Sequence, residues 1–279
     1  MFATASLAAR IERAECSMLR DLADGATRRL SPEARIVAPI GGGVAIFLGH
    51  ESPANKLAGL GFDTPPTAGE LDAVERAFAA QRAPLQVELS SLGDPSVGRL
   101  LTGRGYTLIG FENVLGLDLT GTALEDHADP SIAISRAGAE DTRAWMDAVA
   151  DGFAHPDTFD GPPSHEAFDR DAIERIFADA LATPSFERYL ARRNGEVAGG
   201  ASLRLEQGIA QLAGAATLPA HRRHGVQTAL LRYRLRASAR RGCDVAVVTT
   251  QPGSKSTENV QRFGFAILYV RAILVKSAF

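Results

Sequence analysis

The stretch Ile209–Arg241 constrains this chain more than any other part of it. It reads as an apolar strand, Ile209-Ala-Gln-Leu-Ala-Gly-Ala-Ala-Thr217, followed by Pro219 and the polar turn His221-Arg-Arg-His-Gly225. A long helix then runs from Val226 to Arg241. A helix start leaves several backbone N–H groups without partners and carries partial positive charge. Arg222 and Arg223 add full charges just ahead of it, and Gly225 has no Cβ to keep a ligand away from the backbone. Together these residues predict a cradle for a pyrophosphate.

Composition narrows the alternatives. The 279 residues, 45% hydrophobic and 23% charged, suit one large or two ordinary domains with a buried core. A net charge of −3 exerts no global pull toward nucleic acid or membrane. Cys16 and Cys243 are far apart and form no CxxC, and His155, His165, His221 and His224 show no metal-ligand spacing, so no metal is expected. No apolar run reaches the roughly 18 residues of a membrane helix. Met1–Arg13 is amphipathic with early charges rather than a secretion signal. The expectation is a soluble, cytoplasmic protein.

Ahead of the organising stretch, residues 3–24 have helical spacing, with Leu7, Ile11, Ala14, Met18 and Leu22 on one face and Gly25 at the end. Gly41–Gly43 precedes a strand, Val44–Leu48, and reads as a hairpin turn rather than a phosphate loop. Thr67-Ala-Gly-Glu70 is a capping box for a helix carrying Leu71, Val74 and Phe78. Leu85–Leu89 alternates as a strand, Asp94-Pro95 opens another helix, and Tyr106–Leu119 is a long strand. Residues 121–130 are polar and aperiodic, as a linker would be. Beyond it come a short strand, two helices separated by the loop His155–Pro163, and a hairpin at Asn194-Gly195. After the long helix, Asp244–Thr250 is a buried strand, Ser256–Phe263 a short helix and Phe265–Val275 the last strand.

The order of strand, x-Pro, Arg-x-x-Gly-x-x and helix resembles the acetyl-CoA motif of the GNAT acetyltransferase superfamily, here Arg222-Arg-His-Gly225-Val-Gln227 with Gln227 in place of the second small residue. The resemblance implies an acetyl-CoA-dependent N-acyltransferase. In it, backbone groups of Ala216, Thr217 and Leu218 would meet the pantetheine arm, and Arg222, Arg223, His224, Gly225, Val226, Gln227 and Thr228 would hold the pyrophosphate. Asn259 would cap its helix or touch CoA. Sliding the first half by 159 positions lays Gly105-Tyr-Thr-Leu-Ile on Gly264-Phe-Ala-Ile-Leu and Leu71 on Leu230. Two GNAT-like halves follow, a degenerate one over 1–120 and a CoA-binding one over 131–279. The same slide puts Asp63 at the place of Arg222 and Pro66 at the place of Gly225. An acid repels pyrophosphate and Pro lacks the needed N–H, so the first half should not bind CoA.

The catalytic groups are harder to read. Relatives carry an acid on the organising strand, where this chain has Gln211, and a Tyr where it has Val260. Glu206 at the preceding turn and His155 in the loop that admits the acceptor are the candidate bases, with Asn259 and Tyr269 nearby in sequence to the missing acid. Arg232, Arg236 and Arg240, with Arg234 and Arg241, read as a solvated helix face, and as a nucleic-acid face in a competing reading. The overall expectation is an α/β (α+β) mixed sheet built as tandem GNAT-like domains, the second binding acetyl-CoA. Its partners are acetyl-CoA and a small-molecule or peptide amine, not nucleic acid or membrane, and a homodimer is allowed. The alternative is a CoA-binding regulator without catalysis, or an interaction module using the Arg-rich helix.

Overall fold

The computed structural model describes residues 1–121, 129–155 and 168–278. Most of the expected linker at 121–130, and the His155–Pro163 loop beyond His155, lie outside the described residues. The strands are β1 (Ile36–Ile40), β2 (Gly43–Phe47), β3 (Lys56–Ala58), β4 (Leu85–Ser90), β5 (Thr107–Asp118), β6 (Ile132–Arg136), β7 (Phe186–Arg193), β8 (Glu196–Glu206), β9 (Ile209–Thr217), β10 (Val245–Thr250) and β11 (Ala266–Lys276). The helices are α1 (Ala5–Gly25), α2 (Ala68–Ala80), α3 (Pro95–Gly103), α4 (Thr142–Ala154), α5 (Arg170–Leu181), α6 (Val226–Arg240) and α7 (Lys255–Arg262).

The local signals behave as their chemistry requires. Thr67 and Glu70 close a reciprocal capping box on α2, and Asp94 caps α3 with Pro95 in the first turn. Gly41 and Gly42, at φ 50° and 77°, turn β1 into β2 as a two-residue hairpin. Gly25 does more than end a helix. A Cβ there would collide with the carbonyl of Asp179, so its bare backbone is what lets α1 touch α5.

All eleven strands form one mixed sheet in the order β1-β2-β3-β4-β11-β5-β10-β9-β8-β7-β6. The strand that closes the chain therefore does not lie beside its own neighbour β10. β11 sits between β4 and β5 of the first half, while β5 sits between β11 and β10. Each half hands its last strand to the other. The β5–β11 ladder is antiparallel and invariant under the 159-residue slide: Gly116 faces Ala266, and their counterparts Val275 and Thr107 face each other. Both strands shift register at counterpart residues, Ile109 and Leu268. At the centre Glu112 faces Arg271, its own counterpart, because 112 + 159 = 271.

One face of the sheet carries α2 and α3 over β2–β4, and α6 and α7 over β8–β10. The other carries α1, α4 and α5. Helix α1 joins the halves. Its Cys16 Sγ donates to the carbonyl of Ala58 in β3, its Asp21 accepts from Arg204 in β8, and its Arg10 pairs with Asp244 ahead of β10.

Candidate functional site

β9 and β10 run parallel, but their pairing covers only Ile209 with Val245, Ala210 with Ala246 and Gln211 with Val247. Both strands continue, β9 to Thr217 alongside β8, and β10 to Thr250 alongside β5. Beyond Gln211 they therefore part, and the backbone edge of Leu212–Thr217 faces an opening instead of a strand. A bulge in β9 sits where they diverge, between the Ser202–Ala213 and Gly200–Ala216 pairs, with Gly214 at φ 50°. Sequence reading passed over this residue. A lone Gly inside an apolar strand was the available signal.

The opening ends at the start of α6. Pro219–His221 makes one 3-10 turn, Arg223 and Gly225 take positive φ of 62° and 80°, and α6 begins with no side-chain cap and no acid in its first turn. Its first N–H groups are therefore available to an anion. The counterpart helix α2 differs in the way that matters. Glu70 accepts from Thr67 N at 2.7 Å and Thr67 Oγ1 accepts from Glu70 N at 3.2 Å, so that helix start is already capped and carries its own carboxylate.

The expected cradle residues gather here. Arg223, His224, Gly225 and Thr228 are exposed, Gln227 is half-buried and Val226 is in the core. The Arg222 side chain turns inward. Its Nε donates to Thr217 O at 3.3 Å, and its Nη2 donates to the carbonyls of Gly152, at 3.4 Å, and His155. It thereby fastens the end of α4 to the wall of the opening. Ala216 is buried, Ala216 and Thr217 pair with Gly200 and Gly199 of β8, and Leu218 N is taken by Ala198 O at 3.0 Å. Thr217 Oγ1 and His221 Nδ1, beside the start of α6, are buried without a hydrogen-bond partner.

The candidate catalytic side chains are scattered. His155 lies at the end of α4, its Nδ1 2.9 Å from Asp151 O and its carbonyl against Arg222. Asn259 is half-buried on α7. Glu206 pairs with Ile209 across the β8–β9 hairpin, at the far end of β9 from Thr217, and its Oε2 accepts from Arg204 at 2.7 Å and Ser17 at 3.0 Å. It is engaged as an ion-pair partner. Val260 is buried in the core, and Tyr269 points away from α7 to donate to Glu12 at 2.7 Å.

The Arg-rich helix is not one solvated face. Arg234 is 2% exposed and donates to Ser202 O at 3.0 Å, and burial pushes its guanidinium down to about 10. Arg241 pairs with Glu187 at 2.6 Å and Arg232 lies over the Phe263 ring. No helix among the described residues is long and apolar enough to cross a membrane.

Residues 151–265 match the model of the Acetyltransferase (GNAT) family. No curated protein matches the chain in sequence. Among solved structures, the chain is similar to a GCN5-related N-acetyltransferase from Kribbella flavida, at 20% identity and TM-score 0.61, over 94% of this chain and 95% of that one. It is also similar to a tandem GNAT protein from the clavulanic acid biosynthesis pathway, at 15% identity and TM-score 0.59, over 93% and 88%. A third is a GCN5-related N-acetyltransferase from Sphaerobacter thermophilus, at 15% identity and TM-score 0.59, over 84% and 73%. These likenesses span both halves and concern the fold.

Proposed function

We propose, from the premise that residues 151–265 belong to the GNAT acetyltransferase family, that the chain is an acetyl-CoA-dependent N-acyltransferase acting on an amine. The observation that carries this reading is the parting of β9 from β10, which leads to an uncapped, acid-free start of α6. A diphosphate fits that start, where N–H groups, Gly225 and Arg223 converge. An extended arm fits the free edge of Leu212–Thr217, with Thr217 Oγ1 and His221 Nδ1 as waiting partners.

In this reading Ala216 and Thr217 position the pantetheine arm. Arg223, His224, Gly225, Val226, Gln227 and Thr228 hold the pyrophosphate, and Asn259 approaches the arm from α7. Arg222 acts by holding α4 against the opening. When bound, acetyl-CoA supplies a thioester whose carbonyl carbon an amine attacks. The protein's part is to align the two and to handle protons. The first half, 1–120, walls the acceptor side. The second half, 131–279, binds the cofactor, and 121–130 joins them. The reading keeps the cytoplasm as compartment, allows a homodimer, and makes an amine rather than nucleic acid or membrane the partner.

Calorimetric titration with acetyl-CoA, followed by thiol release with a panel of amines, tests it. We expect binding, and its strong weakening in Arg223→Glu, an exposed position, with the fold intact. Absence of binding by the wild type would refute it.

A further inference from the structure

The strand exchange places part of the first half at the second half's acyl site. β5 lies beside β10, with Val114 opposite Thr249 and Asn113 opposite Thr250. Val114 packs with Val245, Val247 and Ile11 on the α1 face of the sheet. Glu112 is two residues along β5, so its side chain emerges on that same face, just where β10 ends. Diagonal neighbours on one face lie about 7–8 Å apart. The Glu112 backbone is therefore a diagonal neighbour of Thr249, at the end of the sheet where β9 and β10 have separated, while its carboxylate reaches Arg271 on the β11 side of β5.

Glu112 is also the outlet of a buried ionic cluster. Arg271 Nη1 donates to Glu112 at 2.9 Å and to Glu88 at 3.3 Å, and Arg271 Nε donates to Glu12 at 2.8 Å. Glu15 lies 3.8 Å from Arg271, and Lys56 pairs with Glu88 at 2.5 Å. Four carboxylates thus share two cations. Glu12 Oε2 and Arg271 Nη2 are buried without a hydrogen bond, so the cluster is not satisfied from within. Like charges this close disfavour one another's ionisation. Glu12 and Glu88 are 2% exposed, whereas Glu112 is 22% exposed and meets solvent. Burial and the neighbouring Glu88 charge push the Glu112 carboxyl up to about 8, against the pull of Arg271 and Lys56.

We propose that Glu112 is the base that deprotonates the amine acceptor, a catalytic residue that the first half supplies to the second half's site through the exchanged strand. This rests on the transferase reading above. It also names the substrate class: a primary amine that arrives as an ammonium ion, drawn by the surplus carboxylates. Glu112 takes one proton from the ammonium. The freed nitrogen attacks the thioester carbonyl carbon, the C–N bond forms, and the C–S bond breaks with its electron pair leaving on sulfur. The amide nitrogen loses its second proton to the thiolate by way of water, and Glu112 returns its own to solvent. A base titrating near the working pH is well matched to this task.

The test compares wild type, Glu112→Gln and Glu112→Asp in acetyl-CoA affinity and in thiol release with primary amines between pH 6 and 9. We expect unchanged acetyl-CoA affinity, which also reports an intact fold. We expect about 100-fold or greater loss of kcat in Glu112→Gln, partial recovery in Glu112→Asp, and loss in Glu112→Gln of the wild-type rise in kcat toward pH 8. Turnover by Glu112→Gln within about threefold of wild type, with the same pH profile, overturns the proposal. So does a wild type that binds acetyl-CoA but turns over none of the amines. A wild type that does not bind acetyl-CoA overturns the transferase reading itself, and this role with it.

Discussion

Gly214 in β9 lies against Phe177 of α5 so closely that a Cβ added there falls 2.6 Å from the ring's Cε1. The same residue holds φ at 50° in the bulge where β9 leaves β10. Gly214→Ala therefore meets both a backbone penalty and a collision, each on the order of 1–3 kcal/mol. The expected outcome is lower thermal stability together with weaker acetyl-CoA binding, read by a melt and by calorimetry. A variant with wild-type stability and affinity would show that the bulge does not shape the opening.

Gly225 opens α6 with φ at 80° and room beside it. It is exposed, and the nearest atom to an added Cβ is Ile132 Cδ1 at 3.7 Å. Gly225→Asp places an anion at the start of α6, which favours the helix by about 0.3–1 kcal/mol and repels a diphosphate. Acetyl-CoA affinity should fall at least tenfold, while the φ of 80° costs the new side chain on the order of 1 kcal/mol and lowers the melting temperature modestly. Equal affinity would move the diphosphate elsewhere.

One acetyl-CoA should bind per chain. Glu70 and Thr67 already cap α2, and Asp63 and Pro66 stand where the second half has Arg222 and Gly225. Even the double substitution Asp63→Arg with Pro66→Gly should leave the calorimetric stoichiometry at one, because the capping box still occupies the helix start. Two sites in the wild type would contradict this.

Arg271 is 1% exposed and holds Glu12, Glu88 and Glu112 together across α1, β4 and β5. Arg271→Leu leaves those carboxylates buried against one another. It should cost at least about 3–5 kcal/mol in chemical denaturation, the range for breaking a buried pair. A loss under about 1 kcal/mol would mean the seam between the halves is held by packing alone.

Stability should fall as pH rises between about 4.5 and about 8. The Glu112 carboxyl is raised from 4.5 to about 8 by burial and Glu88, and Glu12 is raised in the same direction by burial. The native state thus keeps protons that the unfolded chain has released, and folding loses up to about 1.4 kcal/mol per pH unit for each such group. Glu88, lowered chiefly by the Lys56 and Arg271 charges against its burial, acts the other way in acid. Denaturation midpoints across this window should decline for the wild type and flatten in Glu112→Gln. A flat wild-type profile would remove the proton from the cluster.

The features legible in the sequence were those set by near neighbours. The cap at Thr67 and Glu70, the turn at Gly41–Gly42, the uncapped start at Gly225 and the equal spacing of two halves depend on residues within a few positions of one another. The Arg periodicity of α6 misled, because spacing does not reveal that Arg234 would reach the carbonyl of Ser202 in the core. The ion-pair setting of Glu206 was hidden for a similar reason: Arg204, Ser17 and Asp21 meet only after α1 has docked on β8.

By itself, then, the sequence determined the elements, their order, the repeat, and which half starts its helix with a side-chain cap and an acid and which without. Only the tertiary structure decided that β11 lies beside β4 and β5 beside β10, and so that Glu112 faces Arg271 next to the second half's opening. The reason is that strand pairing joins backbones. An apolar strand with the right alternation satisfies either neighbour equally well, and the choice rests on contacts more than a hundred residues apart in the chain.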